Sequence, residues 1–370
     1  MSTTAPLGRI GQSLLRSRVL AALTTPHGVD RYLEMVNPMW AAEEVRARVV
    51  SIERETTGSG APVATLTLQP TATWRGHRAG QYVQVGVDLP GSAKRMTRCF
   101  TISSAASVPG ERITLTIRAH DAGQVSKFLV SDVVPGQMLH LSQAQGDFTL
   151  EESPATPTNN HLLFITGGSG ITPAMSIVRT LLRDGYDGRA GRKVTFLHYA
   201  QSPDDQIFAA ELADIAAADN DIDVHLRYGE HIFSEFELRR LVPSYADTDT
   251  WACGPAGFME LVAATYADSE RLRTEFFKAP RATAGSAEGE VSFARAGLSA
   301  ANTGATLLEQ AEALGLKPEF GCRMGICFSC TSRKTEGTVR NVLTGVESTL
   351  PGEDIQICVT TPVGDCAVEL

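Results

Sequence analysis

The hydrophobic positions change period several times along the chain. From Glu44 onward short stretches alternate apolar and polar residues, as in Val45-Arg46-Ala47-Arg48-Val49, Ala64-Thr65-Leu66-Thr67-Leu68 and Ile113-Thr114-Leu115-Thr116-Ile117. Alternating strands of this kind, broken by Gly and Pro turns, predict an antiparallel β-barrel reaching to about Leu150. Residues 1–44 read differently, as a partly basic helical extension in which Arg9, Arg16 and Arg18 accompany Ile10, Leu14, Leu15 and Leu20. After the Pro- and Glu-rich stretch 151–157 the pattern becomes strand then helix. His161–Ile165 and Val194–Tyr199 are buried-type strands, and Pro173–Arg183 and Phe208–Ala217 have helical spacing. That alternation predicts an α/β domain with a parallel sheet. A small polar linker follows, and then a compact α+β module. Its helix is announced by a capping pair, Thr306 and Glu309, and ends at Gly315. The expected domains are 1–44, a barrel over 45–153, an α/β domain over 154–279, a linker over 280–287 and a terminal module over 288–370.

Composition narrows the function. Asp and Glu number 42 against 33 Lys and Arg, a net charge of -9. That balance speaks against nucleic acid as a partner, because phosphate neutralisation needs a basic surface. No apolar run approaches the roughly 20 residues of a membrane span, and the first residues lack the apolar core of a signal peptide, so a cytoplasmic protein is expected. The 7 cysteines are unevenly placed, with five of them at or beyond Cys322. A disulfide scaffold would spread them more evenly.

Cys322, Cys327 and Cys330 have the spacing Cys-x4-Cys-x2-Cys, with Cys358 further on. This is the ligand spacing of a plant-type [2Fe–2S] centre, in which four thiolates hold the iron. Gly321 and Gly325 allow the backbone to approach the cluster. A structural zinc site is the alternative, although zinc ribbons use two Cys-x2-Cys pairs and only one is present. Cys366 reads as a packing residue.

Two turns carry the nucleotide signal. Gly167-Gly168-Ser169-Gly170-Ile171-Thr172-Pro173 follows a strand and opens a helix, where backbone N–H groups suit a pyrophosphate. Pro173 fits the first helical turn. A second strand end, Trp251-Ala252-Cys253-Gly254-Pro255, leads into another helix. Both turns belong at the carboxyl edge of the sheet, where a dinucleotide would lie across them and Cys253 would neighbour the reacting nicotinamide.

Together with Arg98-Cys99-Phe100-Thr101 on the barrel, these motifs resemble the ferredoxin–NADP reductase superfamily fused to a plant-type ferredoxin, as in reductase components of oxygenases. The resemblance spans about residues 45–370. It implies that Arg98 holds the flavin phosphate, Phe100 packs on the ring in place of the usual Tyr, and Thr101 hydrogen-bonds near flavin N5. It further implies backbone contacts from Ile117 and Arg118. Gln124, Val125 and Ser126 would bind a pyrophosphate in the manner of the FAD-binding branch. Gly168, Ser169, Gly170, Ile171, Thr172 and Pro173 would bind the nicotinamide nucleotide with Cys253, Gly254 and Pro255. Phe277 would end the nucleotide domain near the flavin, in the segment Glu275-Phe276-Phe277.

The implied function is an oxidoreductase passing electrons from NADPH through FAD to the [2Fe–2S] cluster and on to an acceptor protein, with Thr101 and Cys253 bordering the hydride path. Ser202 and Arg227 are the candidates for a 2′-phosphate, which favours NADPH, with NADH as the other option. Pro26 to Leu33 and Asn37 to Trp40 resemble reductases that serve membrane di-iron enzymes. An acyl-CoA desaturase or alkane hydroxylase is therefore the expected acceptor, with fatty acid desaturation as the downstream chemistry and peripheral membrane association through that partner. The alternatives are a Rieske-type oxygenase or haem-thiolate monooxygenase supplied from NADH and, outside enzymes, a redox-sensing binding protein.

Overall fold

A computed structural model describes residues 28–370, apart from 90, 92–94, 121–122, 152, 154–155, 157–158, 187–191, 278–286, 322 and 326–327. The chain forms two compact units, one carrying a barrel and a parallel sheet, the other carrying the C-terminal module. The basic stretch of the N-terminal extension, with Arg9, Arg16 and Arg18, lies outside the described residues, as does most of the expected linker.

The first described element is helix α1 (Val29–Val36). It is fastened to the barrel by the buried carboxylate of Asp30, which accepts the backbone N–H groups of Glu43 at 3.0 Å and Glu44 at 2.7 Å. The fully buried Arg46 adds an ion pair to Glu34 at 2.8 Å. The barrel itself comprises β1 (Val45–Arg54), β2 (Val63–Pro70), β3 (Tyr82–Val87), β4 (Met96–Thr101), β5 (Ile113–Arg118), helix α2 (Gln124–Ser131) and β6 (Met138–Leu141). Its strands run β4-β3-β6-β1-β2-β5, all antiparallel, and a bridge between Ile102 and Leu115 brings the two edges together. The inward-pointing residues of the alternating stretches, Val45, Ala47, Val49, Leu66, Leu68, Ile113 and Leu115, form its core around Trp74. Alternation places one set of side chains inside and the other outside, so the sequence period translates directly into this layer.

Next come β7 (His161–Gly167), α3 (Ile171–Arg183), β8 (Lys193–Ala200), α4 (Ala209–Ala217), β9 (Ile222–Tyr228), α5 (Glu235–Leu241), β10 (Asp249–Cys253), α6 (Ala256–Thr265) and β11 (Leu272–Glu275). The sheet order is β11-β10-β7-β8-β9 and every pair is parallel. Its strands read as continuous apolar runs because both faces are covered. Phe164, Phe196 and Trp251 pack as neighbouring rings, with centroids 5.8 Å apart. Helix α3 is bonded to the barrel near its middle. Ser176 donates to the Ser104 carbonyl at 2.7 Å and accepts from the Gly80 N–H at 3.2 Å, Thr180 accepts from Ala106 N–H at 2.8 Å, and Arg179 donates to the Ser103 carbonyl at 2.6 Å.

The second unit holds β12 (Glu290–Phe293), β13 (Leu298–Ala301), α7 (Leu307–Ala313), β14 (Thr331–Asn341), β15 (Glu347–Ser348), β16 (Glu353–Gln356) and β17 (Thr360–Val368). The order is β13-β12-β17-β14-β15, with β16 also on β14, and β12 runs parallel to β17 while the other pairs are antiparallel. This is a β-grasp sheet with one packed helix. Thr306 and Glu309 make the reciprocal capping bonds that the sequence spacing predicts. Among the described residues, no helix is long and apolar enough to cross a membrane.

Candidate functional site

The glycine turn is built by close contact. Gly168 has a φ of +54°, Gly170 opens the first turn before α3, and a Cβ at Gly170 would run into the backbone of Cys253 and Gly254. The two turns that the sequence singled out therefore touch, and a side chain at 170 has no room. Ile171, Thr172 and Pro173 are buried beneath the turn, leaving Gly168 and Ser169 as its partly exposed lip. Thr172 donates to the Ser169 carbonyl at 3.0 Å and holds the lip in shape. Gly254 is half-buried and Pro255 exposed.

The register of the parallel sheet aligns four polar residues in one row at this carboxyl edge: Glu275 on β11, Cys253 on β10, Thr166 on β7 and His198 on β8. Cys253 is fully enclosed, and burial followed by the nearby Glu275 pushes its thiol well above the ordinary range, so it is neutral. Burial lifts the Glu275 carboxyl to about 8, so it too holds its proton at neutral pH, and its Oε2 has no hydrogen-bond partner. Thr166 and His198 share a hydrogen bond of 2.7 Å between hydroxyl and Nδ1. Burial, and then the charge of Arg118, drop His198 to about 3, so the imidazole is neutral, with Nε2 unpartnered. The spacing of single residues along the sequence does not disclose this row, because it depends on strand register.

The barrel carries the other candidate groups. Thr101, at the end of β4, is 5% exposed and its Oγ1 is sealed from solvent without a partner. Arg98 lies on the same strand and donates to the Thr97 carbonyl at 2.7 Å, while Phe100 packs against the barrel core. Ile117 is buried in that core. The guanidinium of Arg118 instead reaches the glycine turn, where a Cβ on Gly168 would lie 3.8 Å from Nη2. Helix α2 begins at Gln124 behind Gly123, with no side chain capping its first N–H groups. Uncapped N–H groups at a helix start suit an anion. Val125 and Ser126 are buried in this first turn, and the Ser126 hydroxyl accepts from His120 N–H at 3.2 Å. Phe277 lies two residues beyond the end of β11.

The residues expected at a 2′-phosphate have local partners. Ser202 caps the turn at 203–205 and donates to Asp205 Oδ2 at 2.7 Å. Asp205 is buried and clasps the barrel loop, accepting from Gly60 N–H at 3.3 Å, whereas Asp204 is exposed. Arg227 is ion-paired with Glu237 of α5. Glu237 was not legible as a site residue, since it stands ten positions away on a helix.

In the second unit Cys330 and Cys358 are buried in one core group, 2% and 4% exposed, and Ile357 N–H donates to the Cys330 carbonyl at 3.3 Å. Cys322 and Cys327 lie outside the described residues. Around them Arg323, Gly325 and Phe328 all have left-handed φ values of 58°, 74° and 57°. A Cβ on Gly325 would strike the side chain of Val359, the residue after Cys358, so Gly325 packs tightly against that stretch of the chain.

The donor sets fit the implied groups. Buried thiols at Cys330 and Cys358 suit an iron–sulfur cluster, and an orphaned hydroxyl at Thr101 together with a helix start elsewhere on the same barrel that no side chain caps suits a flavin dinucleotide.

Comparison with known proteins agrees. Residues 50–150 match the oxidoreductase FAD-binding domain family, residues 164–264 the oxidoreductase NAD-binding domain family, and residues 296–363 the 2Fe-2S iron-sulfur cluster binding domain family. An NADPH oxidoreductase of Mycobacterium tuberculosis is 37% identical over 361 residues, covering 95% of this chain and 91% of that protein. The glycine betaine monooxygenase reductase subunit of Pseudomonas aeruginosa is 28% identical over 329 residues, covering 79% of this chain and 87% of its own. The solved structure of phthalate dioxygenase reductase shares the fold, with a TM-score of 0.57 at 18% identity over 88% of this chain and 97% of the other.

Proposed function

This chain belongs to the ferredoxin–NADP reductase superfamily, as a reductase that moves electrons from a nicotinamide nucleotide through FAD to a [2Fe–2S] cluster, and from that premise we propose an oxygenase as its acceptor. The observation that carries the reading is the sealed polar edge of the sheet. Neutral Cys253 beside neutral Glu275 gives that edge groups to border a nicotinamide with no charge to oppose hydride movement, and the unpartnered Oγ1 of Thr101 on the barrel is free to orient a flavin.

When bound, FAD supplies hydride acceptance and the conversion from two-electron to one-electron transfer, and the cluster supplies one-electron passage. The protein's part is positional. Thr101 and Arg98 are proposed to hold the flavin from β4, with Phe100 packing beside it and Ile117 and Arg118 contributing backbone. Gln124, Val125 and Ser126 would present N–H groups to its pyrophosphate. Gly168, Ser169 and Gly170 would let the nucleotide's pyrophosphate approach the start of α3, with the Arg118 guanidinium as the facing cation. Cys253, Gly254 and Pro255 would border the nicotinamide. Cys322, Cys327, Cys330 and Cys358 would ligate the iron.

The relatives favour an oxygenase of the kind that glycine betaine monooxygenase represents over the desaturase or alkane hydroxylase expected from the N-terminal extension. Neither of the latter is named among the proteins compared above. Reconstitution decides it. With NADH or NADPH as donor, product should form with a Rieske-type oxygenase; turnover with an alkane hydroxylase or acyl-CoA desaturase alone would reverse the assignment.

A further inference from the structure

Tyr199 stands opposite Gly167 on one side and Arg227 on the other at the carboxyl ends of β7, β8 and β9. Two strand spacings of about 4.8 Å each place Arg227 about 10 Å along the sheet edge from the glycine turn. Cys253 lies on the opposite flank of that turn, on β10. A dinucleotide with its nicotinamide at Cys253 and its pyrophosphate at the turn therefore lays its adenosine half over β8 and β9.

Glu237, in the first turn of α5, points its carboxylate into this place. Its Oε2 accepts from the Tyr199 hydroxyl at 2.9 Å and its Oε1 accepts from Arg227 Nε, while Arg227 Nη1 donates to the Leu226 carbonyl at 2.9 Å. The Arg227 and Glu237 side chains are only 19% and 17% exposed. Phe233 packs edge-on against Tyr199, with ring centroids 6.2 Å apart. Burial resists ionisation of Glu237, yet the hydrogen bonds from Arg227 and Tyr199 hold its carboxyl below the usual glutamate range, so it carries its charge at neutral pH.

This arrangement treats the two nucleotides unequally. A ribose 2′-phosphate reaching Arg227 meets a guanidinium already neutralised by a carboxylate, and must also approach that carboxylate's own charge. A ribose 2′-hydroxyl meets an acceptor. We propose that Glu237 is a specificity-determining residue, which sets the discrimination between NADPH and NADH by masking Arg227 and accepting a hydrogen bond from the 2′-hydroxyl. The inference rests on the nucleotide site assigned above.

The test is Glu237→Gln in the intact flavin- and cluster-loaded protein. Glutamine keeps an acceptor for Tyr199 and preserves the helix start. The ratio of kcat/KM for NADPH to that for NADH should rise about tenfold, the equivalent of ~1.4 kcal/mol. Calorimetric binding of 2′-AMP, which does not depend on turnover, should tighten by a similar factor, while 5′-AMP should not. Arg227→Gln separates masking from a passive salt bridge. In the wild-type background it should lower the ratio less than twofold, and in the Glu237→Gln background about tenfold. An unchanged or falling ratio in Glu237→Gln, or a large loss from Arg227→Gln alone, would overturn the proposal. Failure of both nucleotides to reduce the wild-type flavin would instead remove the nucleotide site on which it stands.

Discussion

Glu275 shows how much a single carboxyl can depend on its surroundings. In the unfolded chain it titrates at 4.5, and in the folded protein burial moves it to about 8. Between those values the native state holds a proton that the unfolded chain has released, so folding stability falls as pH rises through this window. Glu275→Gln removes that dependence. Its melting temperature should match wild type near pH 4.5 and exceed it by several degrees at pH 8, measured by thermal unfolding. Flavin reduction should diverge as pH rises through about 8, with wild type losing rate and Glu275→Gln staying flat. Identical pH profiles would mean that the carboxyl does not face the hydride path. The other residues differed in how plainly the sequence displayed them. Gly170 was legible because its backbone contact leaves no alternative residue. The engaged hydroxyl of Ser202 was not, because its partner Asp205 serves a barrel loop remote in sequence.

At the scale of elements, the alternating period recovered β1, β2 and β5 of the six barrel strands and the apolar runs recovered β7 and β8, since each reports which faces are covered. Register was a different matter. The row Glu275, Cys253, Thr166 and His198 exists because four strands pair in this register, and nothing local to any of them says so. The Arg227–Glu237 pair was hidden for the same reason, being a helix-to-strand contact. The turn into α3 gives the sharpest mechanical test. Gly170→Ala drives a methyl group into the Cys253 and Gly254 backbone, so the two turns must separate. A loss of about 2–3 kcal/mol in stability is expected from overpacking a site that backbone encloses. The nucleotide KM should rise with it, measured by denaturant unfolding and steady-state kinetics. Full stability in Gly170→Ala would contradict the contact.

At the scale of the whole molecule, the flavin and cluster functions reside in separate compact units, and this predicts separable defects. Cys358→Ser replaces one buried thiol in the second unit. Nucleotide-driven flavin bleaching should persist at near wild-type rate, whereas electron delivery to a protein acceptor should fall at least about a hundredfold, read by stopped-flow absorbance and acceptor reduction. Joint loss in a folded variant would contradict the order of cofactors. The second unit also holds much of the acidic bias, with eleven Asp or Glu against six Lys or Arg between Glu288 and Leu370. An acceptor with a basic face would be drawn to it, more weakly as salt rises.

The bonds from Ser176, Arg179 and Thr180 to the barrel, with the Asp205 clasp on Gly60, have a consequence for motion. Helix α3 springs from the glycine turn and is riveted to the barrel through Ser176, Arg179 and Thr180 near its middle. A hinge between barrel and sheet would have to break these bonds together. Ligand entry therefore proceeds without a clamshell swing of the two halves, and the nucleotide meets a receptor preassembled before it arrives.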